Sequence, residues 1–165
     1  PDAESLTLAA AHFIVTAGNK AVAAKGYFTI ALSGGKTPEL LYKILSQSPF
    51  KENIPWKKII ITFGDERFVP PTNDESNYKM ANEALLKKVP IPLKNILRVK
   101  TENISPALAA AAYEKSIKKY ISEKNPFDLI LLGIGEEGHT ASMFPDQFYI
   151  ALHQQGEECV VYGER

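Results

Sequence analysis

The sequence predicts an α/β domain built on an open, mainly parallel sheet with helices on both faces. Three observations lead there. Apolar runs of strand length occur at Tyr27 to Leu32, Lys58 to Phe63 and Phe127 to Leu132, each bounded by loop-forming residues. Segments with helical periodicity separate them, as parallel strands require crossovers of a dozen or more residues. The glycine-rich and charged stretches directly follow strands, so a parallel sheet would gather them at one edge.

The elements follow in order. Leu6, Ala10, Phe13, Ala17 and Ala21 recur at helical spacing, predicting a helix from Glu4 to Lys25 with Gly26 as its C-cap. Tyr27 to Leu32 is the first strand. The next helix runs from Pro38 to Gln47, with Thr37 as N-cap and Glu39 in its first turn. Lys58 to Phe63, "KIIITF", is the second strand. A polar loop with proline and asparagine leads to a helix from Glu75 to Val89, where capping is the expected role of Asn73, with Ser76 and Asn77 as further candidates. Asn95 to Val99 is a short third strand. Ser105 caps a helix that begins at Pro106 and runs through "PALAAAAYEKSIKKYISEK", its basic end suited to the helix dipole. Phe127 to Leu132 is the fourth strand and Cys159 to Tyr162 the fifth. No repeat or linker interrupts this pattern, so residues 1–165 are expected to form a single α/β domain. The strand order cannot be read from it.

Composition narrows the function classes. Lysine plus arginine equals aspartate plus glutamate at 19 each, so no global field favours nucleic acid or an anionic membrane, and anion binding must be local. One cysteine, Cys159, excludes an intrachain disulfide framework. No stretch is expected to approach the apolar length of a membrane span, and no basic segment precedes an apolar one at the N-terminus. The expected location is the cytoplasm. The chain starts at Pro1 rather than methionine, as a processed or excerpted sequence would.

"SGGKT", residues 33–37, resembles the end of a nucleotide P-loop, but the opening glycine of that motif would fall on Ile30, inside a strand. What remains is a glycine turn into a helix start, which suits one phosphate or carboxylate, or none. In "GIGEEGH", Gly133, Gly135 and Gly138 match G-x-G-x-x-G after a strand. A dinucleotide would need a following helix, which Pro145 limits to about two turns. The same stretch carries His139, able to move protons near neutral pH, with Glu137 placed to hold one ring nitrogen. His12 and His153 lie in no motif and read as structural. In "GDERFVPP", Asp65, Glu66 and Arg67 read as a solvated charge cluster, or else Arg67 is a fork for phosphate oxygens and Asp65 binds a sugar hydroxyl or positions a water. No zinc spacing, calcium loop or G-x-S-x-G elbow is present.

Taken together, "SGGKTPELLY", "ITFGDERFVPPTNDESNY" and "FDLILLGIGEEGHTASMFP" resemble the signature segments of the 6-phosphogluconolactonases, within the glucosamine-6-phosphate isomerase/deaminase-like group. The resemblance spans about residues 27 to 145 and implies a Rossmann-like sheet of the NagB/RpiA-like type. It implies hydrolysis of 6-phosphogluconolactone to 6-phosphogluconate, with no metal or organic cofactor, no nucleic acid or membrane partner, and a monomer or weak homodimer. By the same resemblance, Ser33, Gly34, Gly35, Lys36 and Thr37 with Arg67 would hold the phosphate. Gly135 and Gly138 would also contact the substrate, His139 would be the general base, and Asp65 would lie at the sugar end. The family usually carries aspartate where Glu137 stands, and its members usually continue well beyond the histidine loop. The related amino-sugar isomerase/deaminases carry an acid in a segment like "FNEP", which here reads "SMFP". A non-catalytic sugar-phosphate sensor on the same fold is the remaining alternative.

Overall fold

The computed structural model of the chain describes residues 2–143 and 145. Its elements are α1 (Ala3–Lys25), β1 (Phe28–Leu32), α2 (Lys36–Leu45), α3 (Phe50–Asn53), β2 (Ile59–Phe63), α4 (Asn77–Ala84), α5 (Pro106–Ile117) and β3 (Leu129–Ile130). The strands form one parallel sheet in the order β2-β1-β3. Phe28 pairs with Ile59 and Leu32 with Phe63, while Ile30 pairs with Leu129. The predicted strand at Asn95–Val99 contracts to a single parallel bridge from Ile96 to Ile61 of β2, on the side of β2 away from β1. It has no β-ladder because Leu93–Asn95 is a 3-10 turn and only Leu97 N donates onward, to Ile61 O. The predicted strand at Cys159–Tyr162 lies outside the described residues.

Every residue of β1 and β2 is buried, as expected of parallel strands covered on both faces. Alternation sends Phe28, Ile30 and Leu32, with Ile59, Ile61 and Phe63, into the main core beside α1 and α2. Thr29, Ala31, Ile60 and Thr62 face the other way, where Tyr113 of α5 meets Thr62.

The termini of the helices follow their caps. Asp2 accepts from Ser5 N at the start of α1, and Gly26, with φ 87°, ends it in the left-handed conformation. The buried face of α1 is Thr7, Ala11, Ile14 and Gly18, one residue on from the apolar stripe, and Leu6 and Phe13 remain exposed. Gly18 brings the helix close to β1, since a Cβ there would lie 3.5 Å from the Phe28 ring. Contrary to expectation, α1 is long and apolar enough to cross a membrane by length and composition alone. Ser76, rather than Asn73, caps α4 by accepting from Lys79 N, and Leu86–Lys88 is a separate 3-10 turn, so the predicted helix to Val89 ends at Ala84. α5 also stops early, at Ile117, with a turn through Tyr120.

Two buried tyrosines fix the strand ends. The Tyr42 hydroxyl of α2 accepts from Ser33 N at 3.0 Å and donates to Ser33 O at 2.8 Å. The Tyr113 hydroxyl of α5 accepts from Phe63 N at 2.7 Å and donates to Phe63 O at 2.8 Å. At the opposite edge, Asp128 Oδ2 accepts from Thr29 N and Thr29 Oγ1, both at 2.8 Å, and pairs with Lys25 Nζ at 3.0 Å. This carboxylate ties the end of α1 and the start of β1 to the start of β3.

Burial pushes both tyrosine hydroxyls far above their ordinary pKa. The folded protein therefore binds protons that the unfolded chain releases above pH ~10, so stability should fall as pH rises through that point. In an alkaline titration followed at 295 nm, at least two of the seven tyrosines should ionise only together with loss of the far-ultraviolet helical signal. Full tyrosinate absorbance in a chain that keeps its helical signal would contradict this.

Candidate active site

Three loops leave the carboxyl ends of the sheet. The turn after β1 places Gly35 at the N-cap of α2 with φ 106°, a conformation that favours glycine. α2 begins at Lys36, not Pro38, and no side chain caps it. Thr37, predicted as the cap, lies in the first turn, and both Lys36 and Thr37 are exposed. The result is an open helix start with a cation beside it.

The loop after β2 divides its three charges. Glu66 accepts from Arg67 N and Asn77 N at 2.8 Å, Tyr78 N at 2.9 Å and Ser76 Oγ at 3.2 Å. Its carboxylate thus closes the first turn of α4, where negative charge suits the helix dipole. It is a structural knot, not a solvated charge. The Asp65 carboxylate accepts from Asn77 Nδ2 at 3.2 Å through Oδ1 and from Ser142 Oγ at 2.6 Å through Oδ2. Arg67 is exposed and makes no ion pair among the described residues.

The loop after β3 is closed on itself. Gly135 N donates to His139 O at 2.8 Å, Gly138 N to Gly135 O at 2.9 Å, and Thr140 Oγ1 to Gly133 O at 2.8 Å. Gly138 has φ 81°. Thr140 to Met143 form a turn and bridge, not a helix, so G-x-G-x-x-G here lacks the helix start that a pyrophosphate needs. His139 Nδ1 lies 3.0 Å from Glu137 Oε2. A carboxylate only accepts, so this bond puts the proton on Nδ1 and leaves the lone pair of the neutral ring on Nε2. Glu137 reaches the ring despite being a methylene longer than aspartate. The ring rests on Gly135, where a Cβ would stand 2.0 Å from His139 Cε1. Ala141, with φ 51°, takes a left-handed conformation between His139 and Ser142.

Ser142 therefore joins the loop of His139 to Asp65, which the sequence separates by 77 positions. The loop after Ile96 acts as a brace. Thr101 Oγ1 donates to Val69 O at 2.6 Å, and Arg98 pairs with Glu102, whose carboxyl it lowers to about 2. Sequence reasoning missed Glu66 and Ser142 as site residues and saw Asn77 only as a cap candidate. His12, taken as structural, packs edge-on to Phe50 with ring centroids 4.9 Å apart. His153 lies outside the described residues. Among the described residues, no group of three histidine, cysteine or acidic side chains gathers as a metal site would require.

The chain matches the family model described as glucosamine-6-phosphate isomerases/6-phosphogluconolactonase over residues 1–164. A 6-phosphogluconolactonase of Nostoc sp. is 40% identical over 149 residues, covering 88% of this chain and 60% of the relative. One from Haemophilus influenzae is 44% identical over 118 residues, covering 72% of this chain and 50% of the relative. The crystal structure of 6-phosphogluconolactonase from Thermotoga maritima superimposes with a TM-score of 0.74 at 33% identity, covering 84% of this chain and 60% of that one. The chain thus spans about half to three fifths of the length of these relatives.

A methyl group at position 135 cannot share space with the His139 ring. Gly135→Ala should therefore move the ring off Glu137, and the His139 ring-nitrogen signals in long-range 15N–1H spectra should shift while those of His12 stay. Unchanged His139 signals would refute this packing.

Proposed function

We propose that this chain, which belongs to the glucosamine-6-phosphate isomerase/6-phosphogluconolactonase family, hydrolyses 6-phospho-D-glucono-1,5-lactone to 6-phospho-D-gluconate. The observation that carries the proposal is the placing of the His139–Glu137 pair beside Asp65, through Ser142, at the sheet edge that also carries the uncapped start of α2.

The phosphate would sit on the turn from Ser33 to Thr37, with Gly34 and Gly35 allowing close approach and Lys36 and Arg67 supplying positive charge. Water held at His139 Nε2 gives up a proton as its oxygen bonds to the lactone carbonyl carbon. The carbonyl oxygen becomes an oxyanion. Collapse of that intermediate breaks the bond to the ring oxygen, which takes the proton from the imidazolium and leaves as the sugar hydroxyl. Glu137 steadies the transient positive charge on the ring. Asp65 would face the sugar hydroxyls. A lactone is an activated ester, so a positioned water and a base are enough, and the reaction so drawn uses neither metal nor organic cofactor. Solution in the cytoplasm as a monomer or weak homodimer is part of the same proposal.

The test is an assay of the protein carrying this chain on freshly generated lactone, with spontaneous hydrolysis subtracted. His139→Ala should lower kcat by about two orders of magnitude or more and leave 6-phosphogluconate binding nearly intact. Parental turnover in that variant would remove His139 from the mechanism. Arg67→Ala should instead raise KM, by roughly tenfold, with little change in kcat, because it grips a group remote from the reacting carbon. A loss confined to kcat would refute that assignment.

A further inference from the structure

We propose that Asn77 is a positioning residue that aims Asp65 at the His139 loop and, with the same carboxamide, shapes the phosphate turn at Gly34. Three observations converge on it. Asn77 Nδ2 donates to Asp65 O at 3.1 Å and to Asp65 Oδ1 at 3.2 Å, holding both the backbone and the carboxylate of that residue. Its own backbone N–H donates to Glu66 Oε1 at 2.8 Å, so the base from which the carboxamide projects is fixed. A Cβ added at Gly34 would stand 2.0 Å from Asn77 Oδ1 and 2.6 Å from its Cγ. Gly34 is not in the left-handed region, so glycine is needed there for space and not for backbone freedom.

Asn77 is not a cap. Ser76 holds that position, and its Oγ accepts from Lys79 N. The carboxamide is thus free of its own helix and committed to the two neighbouring loops. Through Asp65 and Ser142 it also reaches the third. One side chain at the start of α4 thereby sets the spacing between the phosphate end and the histidine end of the pocket.

The kinetic arm of the test rests on the lactonase reading, whereas the stability arm does not. Asn77→Asp keeps the shape against Gly34 but removes both N–H donors, and Asn77→Ala removes donors and shape together. Both variants should lose at least about tenfold in kcat on 6-phosphogluconolactone, with KM of Asn77→Ala within about threefold of the parent, since the groups proposed to grip the phosphate directly, Lys36, Arg67 and the start of α2, are unchanged. Parental kcat in Asn77→Asp would show that the residue only fills space, and would overturn the donor role. Gly34→Ala should lower the melting temperature, and Gly34→Ala/Asn77→Ala should recover much of that loss, because the second change removes the clash. Additive losses in the double variant would overturn the contact. A parent with no lactonase activity would sink the functional reading alone, and the melting cycle would then decide the proposal by itself.

Discussion

The site depends on how the protein ends its two fully buried strands. A parallel strand that stops inside the core leaves a backbone N–H and a C=O without a ladder partner, and neither can be left dry. Here a phenol satisfies both groups at once, Tyr42 at Ser33 and Tyr113 at Phe63. A hydroxyl is suited to this because it donates and accepts from one atom. Each tyrosine comes from a helix on a different face of the sheet, so the clamps also fix helices to strand ends. The turn at Ser33 and the loop at Asp65 therefore start from points set by the core.

From those points, neighbouring charges take opposite duties. Glu66 turns inward to the first turn of α4, where two backbone N–H groups and the Ser76 hydroxyl donate to it, and Arg67 N donates from its own loop. Carboxylates at helix starts contribute about 0.3–1 kcal/mol at the surface and more when partly buried, so Glu66 anchors the loop. Asp65, one residue earlier, points to Asn77 and Ser142 and joins loops. The run that reads as one acidic-basic cluster is thus an anchor, a joint and an arginine with no ion pair among the described residues.

Much of this was legible. The strands β1 and β2, the helices around them and the gathering of the motif loops at one edge follow from apolar runs and glycine placement, because burial on both faces leaves a continuous signature, whereas the apolar run at Phe127–Leu132 contracts to Leu129–Ile130 with Ile130 exposed. The pairing of His139 with Glu137 was readable as well, since two residues in one turn constrain each other. Other features depend on tertiary contacts that no local pattern encodes. The bridge at Ile96 replaced a strand because its flanking residues form a 3-10 turn. The buried face of α1 lies one residue on from the apolar stripe and packs Gly18 against the Phe28 ring, a contact that no local pattern marks. Ser142 is an ordinary loop serine until the chain returns it to Asp65. Gly34 and Gly135 look alike in the sequence, and only the fold shows that one clears Asn77 and the other His139.

A final constraint concerns charge. The chain is neutral overall, and the turn from Ser33 to Thr37 stands next to two carboxylates, an arrangement that would repel an anion if those groups were unpartnered. Each is engaged. Glu66 has four donors, and the Asp65 carboxylate has one on each oxygen. Hydrogen bonds to donors offset much of the field of a carboxylate at short range. Arg67 is then the charge left over. With Lys36 at the helix start, it makes the edge locally attractive to a phosphate although the whole molecule has no net field to steer one. The acidic groups can therefore order the loops at this edge without excluding an anion.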